Sequence, residues 1–208
     1  MRVLCSSEVL KQFSERNPVF DGPEYAQADE RGLFFTHPES SCIALKYPEP
    51  LERLPFFARH LSTLGYEPWH FNGALLWFTE YGVWNYADEG IGYRIIEQMN
   101  RAAGQPSSFE ASLGHDFRGD ELNETVGMLL QPMIFSWDAW YLPNWSWGTG
   151  EFSIHISHDS HIVVVTKTKA FYDKVFAELQ QMNYDPEPFP DEWKDRFCRS
   201  AASDPPKL

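Results

Sequence analysis

The chain has 208 residues, of which 43% are hydrophobic and 16% aromatic, and a formal net charge of −13. That content is ample for a buried core and excludes a disordered chain, which would be poor in aromatic and β-branched residues. The charge disfavours phosphate backbones and anionic membranes, so neither nucleic acid nor a membrane is an expected partner, whereas a basic protein is.

Three widely spaced cysteines, Cys5, Cys42 and Cys198, include no Cys-x-x-Cys pair. They suit neither a disulfide framework nor a zinc site. Residues 1–13 lack a continuous apolar run of the secretory kind, and no stretch approaches the roughly 18 apolar residues of a membrane helix. A cytoplasmic location is the expectation.

The first element read in chain order is a short helix over residues 7–16, followed by an irregular Pro/Gly/acid-rich lead-in to residue 40. Ser41 to Tyr47 reads as a strand. Leu51 to Leu64 reads as a helix with Leu51, Leu54, Phe57, Leu61 and Leu64 on one face and Gly65 as its C-cap. Ala74 to Trp84 follows as a strand bent at Gly82, then a helix over Gly90 to Ala103 with Ile91, Ile95, Ile96 and Met99 inward and Gly104 capping it. Phe109 to Phe117 is read as a strand and Asp120 as the N-cap of a helix that Pro132 kinks or stops. Residues 134–150 form an aromatic stretch. Glu151 to Ser157 and His161 to Thr168 read as a hairpin around His158-Asp159-Ser160, and Ala170 to Met182 as the last helix.

These elements predict an α+β fold, a mainly antiparallel or mixed sheet with helices on one face. Residues 41–199 would form one globular domain with candidate halves 41–105 and 106–199, and residues 200–208 a disordered tail. The halves rest on a faint repeat. Leu61, Tyr66, Pro68 and Phe71 recur 118 residues later as Leu179, Tyr184, Pro186 and Phe189. Convergent strand–helix–turn grammar accounts for the same pattern.

Motifs of specific chemistry are few. Gly90-Ile91-Gly92 precedes a helix but has Ile95 where a dinucleotide fingerprint needs its third glycine. His115-Asp116 resembles the dipeptide of some metal phosphohydrolases but lies in a strand or loop without partners on neighbouring helices. His155, His158, Asp159 and His161 are the densest set of metal-ligating types, although their spacing wraps them around a tight turn that explains Asp159 and Ser160 by turn chemistry alone. No cofactor is expected.

Residues 106–160 are the unusual segment. They carry eight acids (Glu110, Asp116, Asp120, Glu121, Glu124, Asp138, Glu151, Asp159) against one base, Arg118, a net −7. They also hold Trp137, Trp140, Trp145 and Trp147, half of the tryptophans, with Tyr141 among them. Tryptophan and tyrosine are enriched at binding hot spots, and carboxylates around them attract a basic partner. The expected partner-binding residues are therefore Asp116, Asp120, Glu121, Glu124, Asp138, Trp140, Tyr141, Trp145 and Trp147. Core packing is the competing explanation for the tryptophans.

The leading expectation is a protein-binding or inhibitory protein that docks a basic partner. In general character (small, acidic, aromatic-rich, α+β, without catalytic motifs) the chain is similar to bacterial immunity proteins, which neutralise a toxin. The alternatives are a hydrolase-type enzyme using clustered carboxylates and histidines, such as Glu80, Asp88, His115 and His155 in a cleft, or a self-associating structural module whose partner is a second copy.

Overall fold

A computed structural model describes residues 1–16, 41–65, 71–80, 89–143 and 152–189. Trp145, Trp147, Cys198, the end of the 74–84 strand reading, residues 66–70 of the repeat and the 200–208 tail lie outside the described residues.

The strands are β1 (Arg2–Leu4), β2 (Ser41–Lys46), β3 (Gly73–Glu80), β4 (Gly114–Arg118), β5 (Asp138–Pro143), β6 (Phe152–Ile156), β7 (His161–Thr166) and β8 (Glu187–Pro188). The helices are α1 (Ser6–Arg16), α2 (Leu54–Thr63), α3 (Glu89–Ala102), α4 (Leu122–Phe135) and α5 (Lys169–Gln181). One eight-stranded sheet runs β1-β4-β3-β5-β6-β7-β2-β8, and every pairing described in it is antiparallel. The α+β expectation is met.

Alternation along the strands separates two cores. On one face Ile43, Leu45, Leu76, Phe78, Tyr141, Ile154 and Val164 meet Leu54, Phe57 and Leu61 of α2, Ile96 of α3, Met128 and Leu129 of α4, and Val175 and Leu179 of α5. On the other, Leu75, Trp140, Leu142, Val163 and Val165 cluster with Val9 and Phe13 of α1. Helices α2 to α5 thus share one face, as the sequence predicts, but α1 covers the reverse face. It comes close enough that a Cβ on Gly114 would lie 2.4 Å from Cβ of Val9. The helix read over residues 7–16 is α1, and ahead of it the sequence reading missed β1, which pairs with β4 over Arg2↔Asp116 to Leu4↔Gly114.

Two short edges finish the sheet. At β1 the Gln105 side chain replaces a neighbouring strand: its Oε1 accepts the Val3 N–H at 2.9 Å and its Nε2 donates to the Met1 carbonyl at 2.8 Å. Covering an edge in this way removes a template for aggregation. Glu8 supplies one half of a capping box at the start of α1, its carboxylate accepting the Cys5 N–H at 3.0 Å.

Most predicted elements recur within a few residues, with informative exceptions. Residues 109–113 are turns rather than strand, and β4 begins only at Gly114. The aromatic stretch contains β5, a central strand flanked by β3 and β6. Five of its six residues are buried, because both faces of the sheet are covered there. Pro132 lies inside α4, which ends three residues later at Phe135 with Ser136 in the left-handed region. Ile91 and Leu51, both expected inward, are exposed. Gly65 and Gly104 take positive φ at helix ends, as their cap reading requires.

The two repeat segments meet as neighbours. β2 and β7 pair antiparallel with Ile43 opposite Val164, and α2 and α5 follow them onto the same face. Gly65 and Asn183, 118 residues apart, both end their helices at positive φ. The chain then diverges, entering β3 across the sheet in one case and the edge strand β8 in the other.

Candidate functional site

Asp116, Asp120, Glu121 and Glu124 occupy one place, and Asp138 and Asp159 another. β3 sets Gly73 opposite Arg118 at one end and Glu80 opposite Asp138 at the other. An eight-residue strand spans roughly 23 Å, so the β4–α4 corner and the β5/β6–β7 end are a strand length apart.

At the β4–α4 corner the chain turns through Gly119 and Asp120 into α4. Glu121, not Asp120, holds the N-cap position, and its side chain makes no capping bond within the helix. Its carboxylate reaches backward instead, accepting the Arg118 N–H at 2.8 Å and pairing with the Met1 ammonium. The Glu121 carbonyl accepts from the Thr125 hydroxyl at 2.8 Å. Burial, then Arg118, lowers the pKa of that ammonium, while Glu124, Asp116 and Asp120 act against the shift. Four of the five predicted carboxylates, Asp116, Asp120, Glu121 and Glu124, therefore lie around one point. Asp120 and Glu124 are exposed, and Asp116 and Glu121 half-buried. The positive end of α4 favours acids in this place.

At the opposite end, Asp138 opens β5. Its Oδ1 accepts the His158 backbone N–H at 2.6 Å and contacts His158 Nδ1 at 3.0 Å. The proton must reside on Nδ1 for that bond, which leaves Nε2 facing Asp159 at 3.5 Å. Tyr47 donates its hydroxyl to the Ser157 carbonyl at 3.3 Å, and burial with the nearby Asp138 charge pushes its pKa up. His161 turns Nδ1 to the Asp159 carbonyl at 2.7 Å. His155 points to the reverse face, its ring 4.8 Å from that of Trp140. Burial drops its pKa to about 4, with Asp138 opposing and His158 adding to the shift, so it is neutral at pH 7.

The geometry does not gather His155, His158, Asp159 and His161 around one point. Among the described residues no three His, Cys, Asp or Glu side chains are placed to hold an ion. His155 is buried under the sheet, His158 is turned to Asp138 and His161 to a backbone carbonyl. The His115-Asp116 dipeptide fails likewise, because consecutive strand residues point to opposite faces. Gly92, in the rejected nucleotide fingerprint, serves packing: a Cβ there would lie 2.7 Å from the Trp137 ring.

The docking expectation is corrected in part. Trp140 and Tyr141 are 1% and 0% exposed, on opposite faces of β5, so neither can contribute to a surface. Trp137 is equally buried, among Phe78, Tyr93, Phe109 and Phe135. Asp138 belongs to the hairpin end rather than to the acidic corner.

Sequence reading missed a third polar cluster, inside the α3–β4 layer. His115 Nε2 lies 3.0 Å from Asn100 Oδ1, and Asn100 Nδ2 donates to Ser112 Oγ at 2.9 Å and to Ser107 Oγ at 3.3 Å. Ser112 Oγ donates onward to the Ser108 carbonyl at 2.7 Å. Asn100, Ser112 and His115 are each 0% exposed. The one available signal was polar residues at positions of a helix and strand that pattern as inward.

Comparison with protein-family models, curated proteins and solved structures found no match to this chain.

Proposed function

We propose that the chain is a protein-binding, inhibitor-type protein that docks a basic partner through the acidic β4–α4 corner. The observation that carries this reading is the convergence of Asp116, Asp120, Glu121 and Glu124 on one corner of a protein whose net charge is −13. Such a field accelerates encounter with a basic surface and orients it. An immunity protein neutralising a bacterial toxin is the concrete form of the reading, and the composition supports it. The tryptophans described belong to the core, so the attraction is assigned to charge.

The test is isolation of the native complex from source cells and measurement of its affinity at rising salt. A basic partner bound one to one is expected. Affinity should fall at least tenfold in Asp120→Lys/Glu124→Lys and remain unchanged in Asp173→Lys, on α5. A partner bound equally well by both variants, or only a second copy of this chain, overturns the reading.

One observation favours a hydrolase-type alternative: the Asp138–His158 pair, an imidazole oriented by a carboxylate. His115 and His155 lend it no support, since both are buried and held neutral. A hydrolytic activity abolished by His158→Ala would establish this alternative.

A further inference from the structure

The hydrogen bonds around His115 run in one direction. The Ser112 hydroxyl gives its proton to a carbonyl, so it accepts from the Asn100 amide. Asn100 Oδ1 then faces His115 Nε2, which must carry the ring proton. Nδ1 is left as the lone basic atom, buried, with no hydrogen-bond partner among the described residues. Phe78 and Phe117 pack on the ring, with centroids 5.7 Å and 6.3 Å away. A proton added at Nδ1 would be a buried charge without an acceptor, which is costly.

Among the described residues no neighbouring charge compensates. The elements around the ring carry the Met1 ammonium just before β1, Asp116 and Arg118 on β4, Glu97 and Arg101 on α3, Glu110 in the α3–β4 connection, Glu121 at the N-cap of α4 and Glu124 on α4, and of these the ammonium is the charge that acts on it. In β3, Gly73 to Thr79 carry no charge. Asp116 points to the reverse face, Glu97 accepts the Phe109 N–H at 3.2 Å, and Glu121 is paired with the ammonium. Burial, then the ammonium, lowers the His115 pKa to about 3.

The same bonds hold a segment in place. Asn100 fixes Ser107 and Ser112, its carbonyl accepts the Gln105 N–H at 2.9 Å, and Gln105 in turn holds β1. We propose that His115 and Asn100 form an acid-sensitive latch: protonation of His115 releases residues 97–113 and, through Gln105, the edge strand β1. This device does not depend on the acidic corner binding a partner.

The sign follows from linkage. A histidine whose folded pKa is depressed leaves the closed state intact above about pH 6.5. The open state binds the extra proton as pH falls from there toward 3, so opening becomes favourable. Between pH 7 and 4.5 the opening equilibrium should rise on the order of a hundredfold.

Hydrogen exchange by mass spectrometry, corrected for intrinsic rates, tests this in the full chain. Amides of 97–113 and 1–4 should lose protection at pH 4.5 ahead of α2, the reference. His115→Phe should abolish that early loss, and His155→Phe, on the other face, should leave it. Loss in step with α2, or early loss persisting in His115→Phe, overturns the latch. Should His115→Phe fail to fold, NMR titration of wild-type His115 decides. A ring that stays neutral until 97–113 opens is expected, and titration near pH 6.5 in the closed state overturns the proposal.

Discussion

The β4–α4 corner and the β5/β6–β7 end look like one acidic region in the sequence and are two different environments in the fold. At the corner, carboxylates crowd the start of a helix, and two of them stay in solvent. At the hairpin end, Asp138 is spent on a single histidine, satisfying its N–H and its ring together. Between them lies β5, whose aromatic residues fill both cores. Charge density along a sequence therefore measures the surface only where the chain does not cross the molecule. Here α4 takes the chain from the corner to Asp138 at the other end, and β5 brings it back.

The comparison can be broken most severely at β5 and at Trp137 just before it. Trp140→Ala and Trp137→Ala should each lower unfolding free energy by about 3–5 kcal/mol, the usual cost of emptying a large buried aromatic site. Urea denaturation measures this, and a loss below about 1 kcal/mol would return these residues to the surface. A smaller effect is expected at the hairpin end. Asp138→Ala leaves the His158 N–H without its carboxylate and should cost about 1–3 kcal/mol. NMR should show the His158 ring losing its fixed Nδ1–H tautomer, and an unchanged tautomer would remove Asp138 as its orienting group. The smallest effect belongs to the corner, where Asp120→Lys should change stability by no more than about 0.5 kcal/mol, its carboxylate being exposed. A larger loss in the same denaturation series would make the corner a structural ion cluster rather than a surface free to dock.

Much of the fold was legible because local rules agreed with it. The three/four spacing of Leu54, Phe57 and Leu61 marks α2, the alternation of Phe152, Ile154 and Ile156 marks β6, and Gly65 and Gly104 end their helices as their lack of a Cβ permits. β5 was illegible for the opposite reason. After Asp138 it is apolar on both faces and so has no alternation to read, whereas β6, buried on both faces too, sets Ser153 and His155 between its apolar residues, and a proline at the end of β5 masks it further. β1, three residues long, was equally silent, since its stability comes from β4 and from Gln105 rather than from its own side chains. The candidate site was legible in its residues but not in its grouping. Asp116, Asp120, Glu121 and Glu124 do come together, while Trp140 and Tyr141, next to each other in sequence, are sent to opposite cores.

The sequence by itself determined the class of fold, the antiparallel hairpin, the helices that share one face and the acidity. Each is written in local periodicity or in composition, and neither depends on distant partners. Only the tertiary structure decided which acids are neighbours, which aromatic residues are buried and which histidines stay neutral. Those properties depend on desolvation and on contacts between residues far apart in the chain. Asn100 meeting His115, and Gln105 standing in for a strand beside Val3, arise only when the helix layer closes over the sheet.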